Sequence, residues 1–152
     1  GVATLKYADL MNKPAMDYIF DLERFSSFDG RTGPYLLYTS VRIKSILRKA
    51  AERDFKVGTI QNPDSDEQRQ LMLKIAELPE VMHLAVENRM PNYLCEYLYN
   101  LAALYNRFYH EHHMLREENA QTRGAWLALS SLTLSVLEAV VNVLGIDVPE
   151  RM

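Results

Sequence analysis

The sequence predicts an all-α fold: a helical bundle of about five helices preceded by a short irregular segment. Three observations predict it. Apolar residues recur at helical spacing through the second two-thirds of the chain, prolines stand where helices would begin, and Gly145 with Pro149 shortly after it closes the last apolar run. Neither strand alternation nor an internal repeat competes with this pattern. At 152 residues the chain is long enough to bury one core without disulfide or metal staples.

The first part, through KYADLMNKPAMDYIFDLERFSSFDGRTGP, is the least regular. Asp17 to Phe20 reads as a short extended piece and Leu22 to Phe28 as a short helix, while Asp29-Gly30 and Gly33-Pro34 are turn signals. Thr32 can cap the next helix, and Pro34 fits its first turn, where a missing N–H costs nothing. That helix is predicted from about Pro34 to Asp54. The polar run FKVGTIQNPDSDEQ is the longest loop, and Asp64 or Ser65 then caps a helix starting near Asp66 with acidic residues at its positive end. Pro79 opens a second short helix and Pro91 a longer one, PNYLCEYLYNLAALYNRFYHEHHML. A final helix covers about Glu118 to Leu144, stopped by Gly145 where a left-handed residue is favoured.

The segment from Trp126 to Ile146 is apolar and long enough to be tested as a membrane span. Its Ser131, Ser135, Glu138 and Asn142 recur at steps of four, three and four, drawing one polar stripe along an otherwise apolar helix. A mostly buried bundle helix fits that stripe better than a membrane helix does. The chain begins GVATLKYADL, with no basic leader or long apolar stretch, and its single cysteine, Cys95, has no internal partner. A reducing, cytoplasmic setting and a core thiol are the expectation.

Net charge is −3, which excludes a protein that coats nucleic acid indiscriminately, because such binding needs a large positive field. The charge is uneven, however. Arg42, Lys44, Arg48, Lys49, Arg53 and Lys56 face only Glu52 and Asp54 in the same stretch, a local excess of four positive charges.

Catalytic and metal signatures are missing. In HEHHM the position four residues after His110 is Met114, so the two-histidine metal pair of a zinc-peptidase helix fails, and His110 with His113 lacks a third ligand. No glycine-rich phosphate loop, nucleophile elbow or activated cysteine is present. Neither a metal nor a cofactor is expected in this chain.

The tyrosines are more informative. On a helix, Tyr38, Arg42, Ser45 and Lys49 follow one another at steps of four, three and four, with Tyr35 a turn before Tyr38, while Leu36, Ile43, Ile46 and Leu47 point elsewhere. Two readings fit. One is a solvated face whose tyrosines lap over the core, and periodicity by itself favours it. The other is a surface that stacks unpaired bases and clamps phosphates. On the later helix, Tyr105 and Phe108 fall on the apolar side, and Tyr109 is more open to a binding role. A helical protein-interaction module would present the same tyrosines, since Tyr and Arg are enriched at both kinds of interface.

Taken together, KYADL, DYIFDLERFSSFDGRTGPYLLYTSVRIKSILRKA, YLYNLAALYNRFYHEHHML and the terminal GIDVPERM resemble, in that order, the C-terminal part of arginyl-tRNA synthetases. The resemblance implies the helical anticodon-binding domain of a class I aminoacyl-tRNA synthetase, the DALR domain, over residues 30–152, with the end of a catalytic-domain junction over 1–29. It implies arginine tRNA as partner and an upstream catalytic domain, bearing the HIGH-type and KMSK-type signatures absent here, as the site of ATP- and magnesium-dependent arginylation. By the same resemblance the chain is a non-catalytic fragment of that ligase. The family's anticodon-reading residues carry over onto Tyr35, Tyr38 and Arg42 in the TGPYLxY block, onto Tyr105 and Tyr109 by spacing, and onto Met152 at the terminus, with Arg42 and Lys49 expected on phosphates and Lys44 and Arg48 as further candidates for them. Leu37 departs from the family pattern, which has glutamine there.

Overall fold

The computed structural model describes all 152 residues. Seven α-helices and one 3-10 turn make up the chain: α1 Val2–Leu10, α2 Leu22–Ser26, α3 Gly33–Glu52, α4 Asp66–Ala76, α5 Leu78–Glu87, α6 Asn92–Glu111, the 3-10 turn Met114–Arg116, and α7 Ala120–Val143. The five predicted helices are α3 to α7.

Local chemistry accounts for their ends. The Thr32 hydroxyl accepts from the Tyr35 amide, Ser65 from the Gln68 amide and Asn119 from the Thr122 amide, each satisfying a first-turn donor that has no partner inside the helix. Pro34 and Pro79 occupy first-turn positions of α3 and α5. Gly145 takes the left-handed conformation at φ 72°, which turns the chain back after α7. Ile146 then enters the core and Val148 packs on it.

The N-terminal stretch is more regular than the sequence suggests. α1 is a helix that buries Ala3, Thr4, Tyr7 and Ala8, and the irregular part shrinks to the residues around α2. Small residues carry most of that buried face, so its apolar signal is weak. The Tyr7 hydroxyl compensates by donating to the Cys95 carbonyl of α6 at 2.9 Å. α1 also crosses the start of α3 at Gly33, where a Cβ would collide with the Ala3 backbone.

α6 and α7 form the centre. Leu98, Leu101, Tyr105 and Phe108 from α6 meet Leu127, Leu137, Val140 and Val141 from α7 and Ile43 and Ile46 from α3 in one continuous core. α7 has the length and apolarity to cross a membrane, yet more than half of its most apolar window is buried in the bundle, and Ser135 and Asn142 of its polar stripe are exposed. Cys95 lies in the core, where burial pushes its thiol up to about 12. Of the histidine run, His112 is structural: its Nδ1 donates to the Phe108 carbonyl at 2.9 Å, and Nε2 accepts from Ser65 at 3.1 Å, tying the end of α6 to the start of α4, while His110 and His113 are exposed.

Candidate nucleic-acid interface

The site is built where α3 runs beside α6. On α3, Tyr35, Thr39 and Arg42 lie at steps of four and three and therefore share one side; on α6, Asn106 and Tyr109 do the same. Asn106 joins the two helices. Its Nδ2 donates to the Tyr35 hydroxyl and to Thr39 Oγ1, each at 3.0 Å, and its Oδ1 accepts from Arg42 Nη1 at 2.7 Å. One side-chain amide thus uses both ends to set two tyrosine-bearing helices in register.

Arg42 is the centre of the exposed part. Its guanidinium carbon lies 4.8 Å from the Tyr38 ring centroid and 5.2 Å from that of Tyr109, so the cation sits between two aromatic faces. With one of its five N–H donors on Asn106, the rest of the fork is uncommitted, and no carboxylate pairs with it. Tyr38 is 43% exposed and meets Phe28, itself exposed, edge to face at 6.1 Å. Further along, Tyr35 packs on Tyr99 at 5.7 Å, and Arg31 lies over the Tyr99 ring at 5.2 Å. Burial raises the Tyr35 phenol above its ordinary value against the opposing bond from Asn106, so the hydroxyl stays protonated.

The predicted residues separate into three groups. Tyr35, Tyr38, Arg42 and Tyr109 are brought together, and Lys49 is exposed two turns beyond Arg42 on the same side, near Tyr109. Tyr105 is not with them. It has no exposed surface, its hydroxyl donates to Ser130 Oγ at 3.2 Å and its ring meets Phe108 edge to face at 6.0 Å, so it packs behind the site and offers a ligand no contact. Met152 is exposed at the end of a tail anchored on the far flank of α3, where Lys44 Nζ holds Glu150 at 2.7 Å and Glu138 of α7 at 2.9 Å. Lys44 is about 200° around the helix from Arg42. Leu37 is half-buried against the core.

Asn106, Tyr99, Arg31 and Phe28 were not anticipated from the sequence. Asn106 is one of three asparagines on α6, and only its place three residues before Tyr109, on the same side of the helix, hints at its role. No three His, Cys, Asp or Glu side chains converge on a point that could hold a metal ion.

The family model of the DALR anticodon binding domain matches residues 36–152. The chain belongs to that family. Over its full length the chain is 45% identical to the arginine–tRNA ligase of Alkaliphilus oremlandii and 42% identical to that of Maricaulis maris, covering 26% of each. The arginyl-tRNA synthetase structures of Thermus thermophilus and Plasmodium falciparum superpose on 99% of it, with TM-scores of 0.84 and 0.83 at 29% and 28% identity. The chain therefore spans about a quarter of the length of the relatives it matches.

Proposed function

We propose that this domain binds the anticodon stem-loop of arginine tRNA and positions the tRNA for ATP-dependent arginylation by a catalytic domain of the same polypeptide. The observation that carries the reading is Arg42 held between Tyr38 and Tyr109 with no anion of its own. Anticodon bases can be splayed out, stacked on aromatic rings or guanidinium planes, and hydrogen-bonded along their pairing edges. Tyr38 and Tyr109 supply rings and Arg42 a charged fork. Tyr35, fixed by Asn106, supports the fork from behind, and Lys49 meets phosphate. Met152, two residues beyond the Glu150 anchor, folds over the open face of α3 when RNA is bound.

ATP and magnesium belong to the catalytic domain, and the setting is the cytoplasm, where protein synthesis charges its tRNA. The exposed Met16, Ile19, Phe20 and Leu22 around α2 form an apolar surface suited to packing against the rest of that polypeptide.

The test is a titration of the domain with the anticodon stem-loop of an arginine tRNA and with an anticodon-substituted version, over a salt series. The arginine loop is expected to bind more tightly, with a log–log salt slope of about −0.7 for each phosphate contact. Equal affinity for the two loops overturns the reading, and salt-insensitive capture of a polypeptide by the tyrosine face would replace it with a protein-interaction module.

A further inference from the structure

We propose that the cleft between the last turns of α3 and the 3-10 turn is a second nucleotide seat, which takes the base adjoining the one at Arg42 and holds its phosphate on Lys49 and Arg116. The inference rests on the RNA reading above, which uses only Tyr109 and Lys49 here, and extends it to Ile46 and the 3-10 turn with Arg116. Tyr109 joins the two seats, since its ring meets Arg42 and is also a wall of the cleft. The floor is apolar, made by Ile46, Met114 and Leu115, and the rim carries Lys49, His113 and Arg116 with no carboxylate among the lining residues. Lys49 and Arg116 are exposed and take part in no ion pair. The walls are fixed relative to each other, because Arg53 Nη1 at the end of α3 donates to the Leu115 carbonyl at 3.0 Å.

Size and charge select the occupant. The cleft measures about 250 Å³, below the roughly 300–1,000 Å³ usual for a whole small-molecule ligand. A single base fits inside and leaves its phosphate at the rim, where the cations are. A cleft of about 350 Å³ between α4, α5 and α6 is lined by Glu96, and its Lys74 is already paired with Glu77 at 2.8 Å. That cleft has the wrong charge for RNA, so the seat at Tyr109 is distinguished by more than being concave.

The experiment is fluorescence anisotropy of the native chain and of a Lys49→Ala/Arg116→Ala double variant with the anticodon stem-loop of an arginine tRNA, over a salt series. Both side chains are exposed, and thermal melts verify that the variant stays folded. Affinity is expected to fall about tenfold for each cation removed, and the salt slope to flatten by about 0.7 for each lost phosphate contact. Replacing loop phosphates one at a time with neutral methylphosphonates then identifies the phosphate held here. Its replacement weakens the native chain and costs the double variant nothing. If the double variant keeps native affinity and slope while Arg42→Ala still weakens binding, the second seat is overturned and the anticodon reading stands. If the native chain does not bind the loop at all, the anticodon reading itself fails.

Discussion

The two flanks of α3 carry cations in opposite circumstances. Towards α7, Lys44 lies between the carboxylates of Glu138 and Glu150, and its ammonium is raised above the ordinary lysine value, most by the hydrogen bond to Glu150. Towards α6, two residues earlier in the chain, Arg42 has only a neutral amide and two rings for company. Composition counts the two charges alike. Their surroundings do not: one is neutralised in holding the C-terminal tail, and the other is left for an anion or a base from outside. A local surplus of positive charge therefore says little about binding until each cation's partners are known.

The largest effect should come from exchanging these two residues for alanine. Arg42→Ala is expected to cost about 1.5–3 kcal/mol of affinity for the arginine anticodon stem-loop, the usual worth of a hydrogen bond to a charged group, with little change in melting temperature. Lys44→Ala should leave affinity at physiological salt close to native. Parallel titrations of the two variants check this, and equal losses would remove the distinction between the flanks.

A smaller effect separates Tyr105 from Tyr109, one turn apart on α6. Tyr105→Phe removes a buried hydroxyl bonded to Ser130 and is expected to lower stability by about 1 kcal/mol without touching RNA affinity. Tyr109→Phe keeps the ring that meets Arg42 and should lower neither. Denaturant melts read beside RNA titrations test the pair, and a loss of affinity in Tyr105→Phe at unchanged stability would return that residue to the binding surface.

This pair also marks how far the sequence could be read. The five-helix bundle was legible because its helices announce themselves with a capping Thr32 or Ser65, with first-turn prolines, and with Gly145 at the end. α1 was not, since Ala3, Thr4 and Ala8 bury little apolar surface and Gly1 offers no capping side chain. Periodicity already set Tyr105 on the apolar side and left Tyr109 more open, and it was the family pattern, carried over by spacing, that counted Tyr105 among the binding residues. The α3 face was visible as a pattern, but its purpose depended on Asn106, which reaches it from 64 residues away from Arg42. Long-range partners of that kind leave no periodicity.

The smallest effect concerns the tail, and it asks whether the Lys44 flank matters to recognition at all. Glu150 is held below its ordinary value of 4.5, first by its hydrogen bond to Lys44 and then by the charge of that ammonium. A carboxylate lowered in the folded state stabilises the tail above its unfolded value, and that contribution is lost as pH falls through the lowered folded one. Lys44 behaves inversely: its contribution is complete below 10.5 and is lost as pH rises through its raised value. The latch is closed between these limits. Acidification below 4.5 should therefore free residues 147–152 first, seen as sharpening of the Met152 methyl signal by NMR, while the buried Ile146 keeps the turn at Gly145 docked. Glu150→Gln should loosen the tail at neutral pH with the melting temperature nearly unchanged, because exposed ion pairs contribute little to stability. If Met152 closes over a bound anticodon, this variant loses discrimination between the arginine and substituted loops more than it loses affinity for either. Unchanged discrimination with a visibly mobile tail would confine recognition to the Arg42 flank.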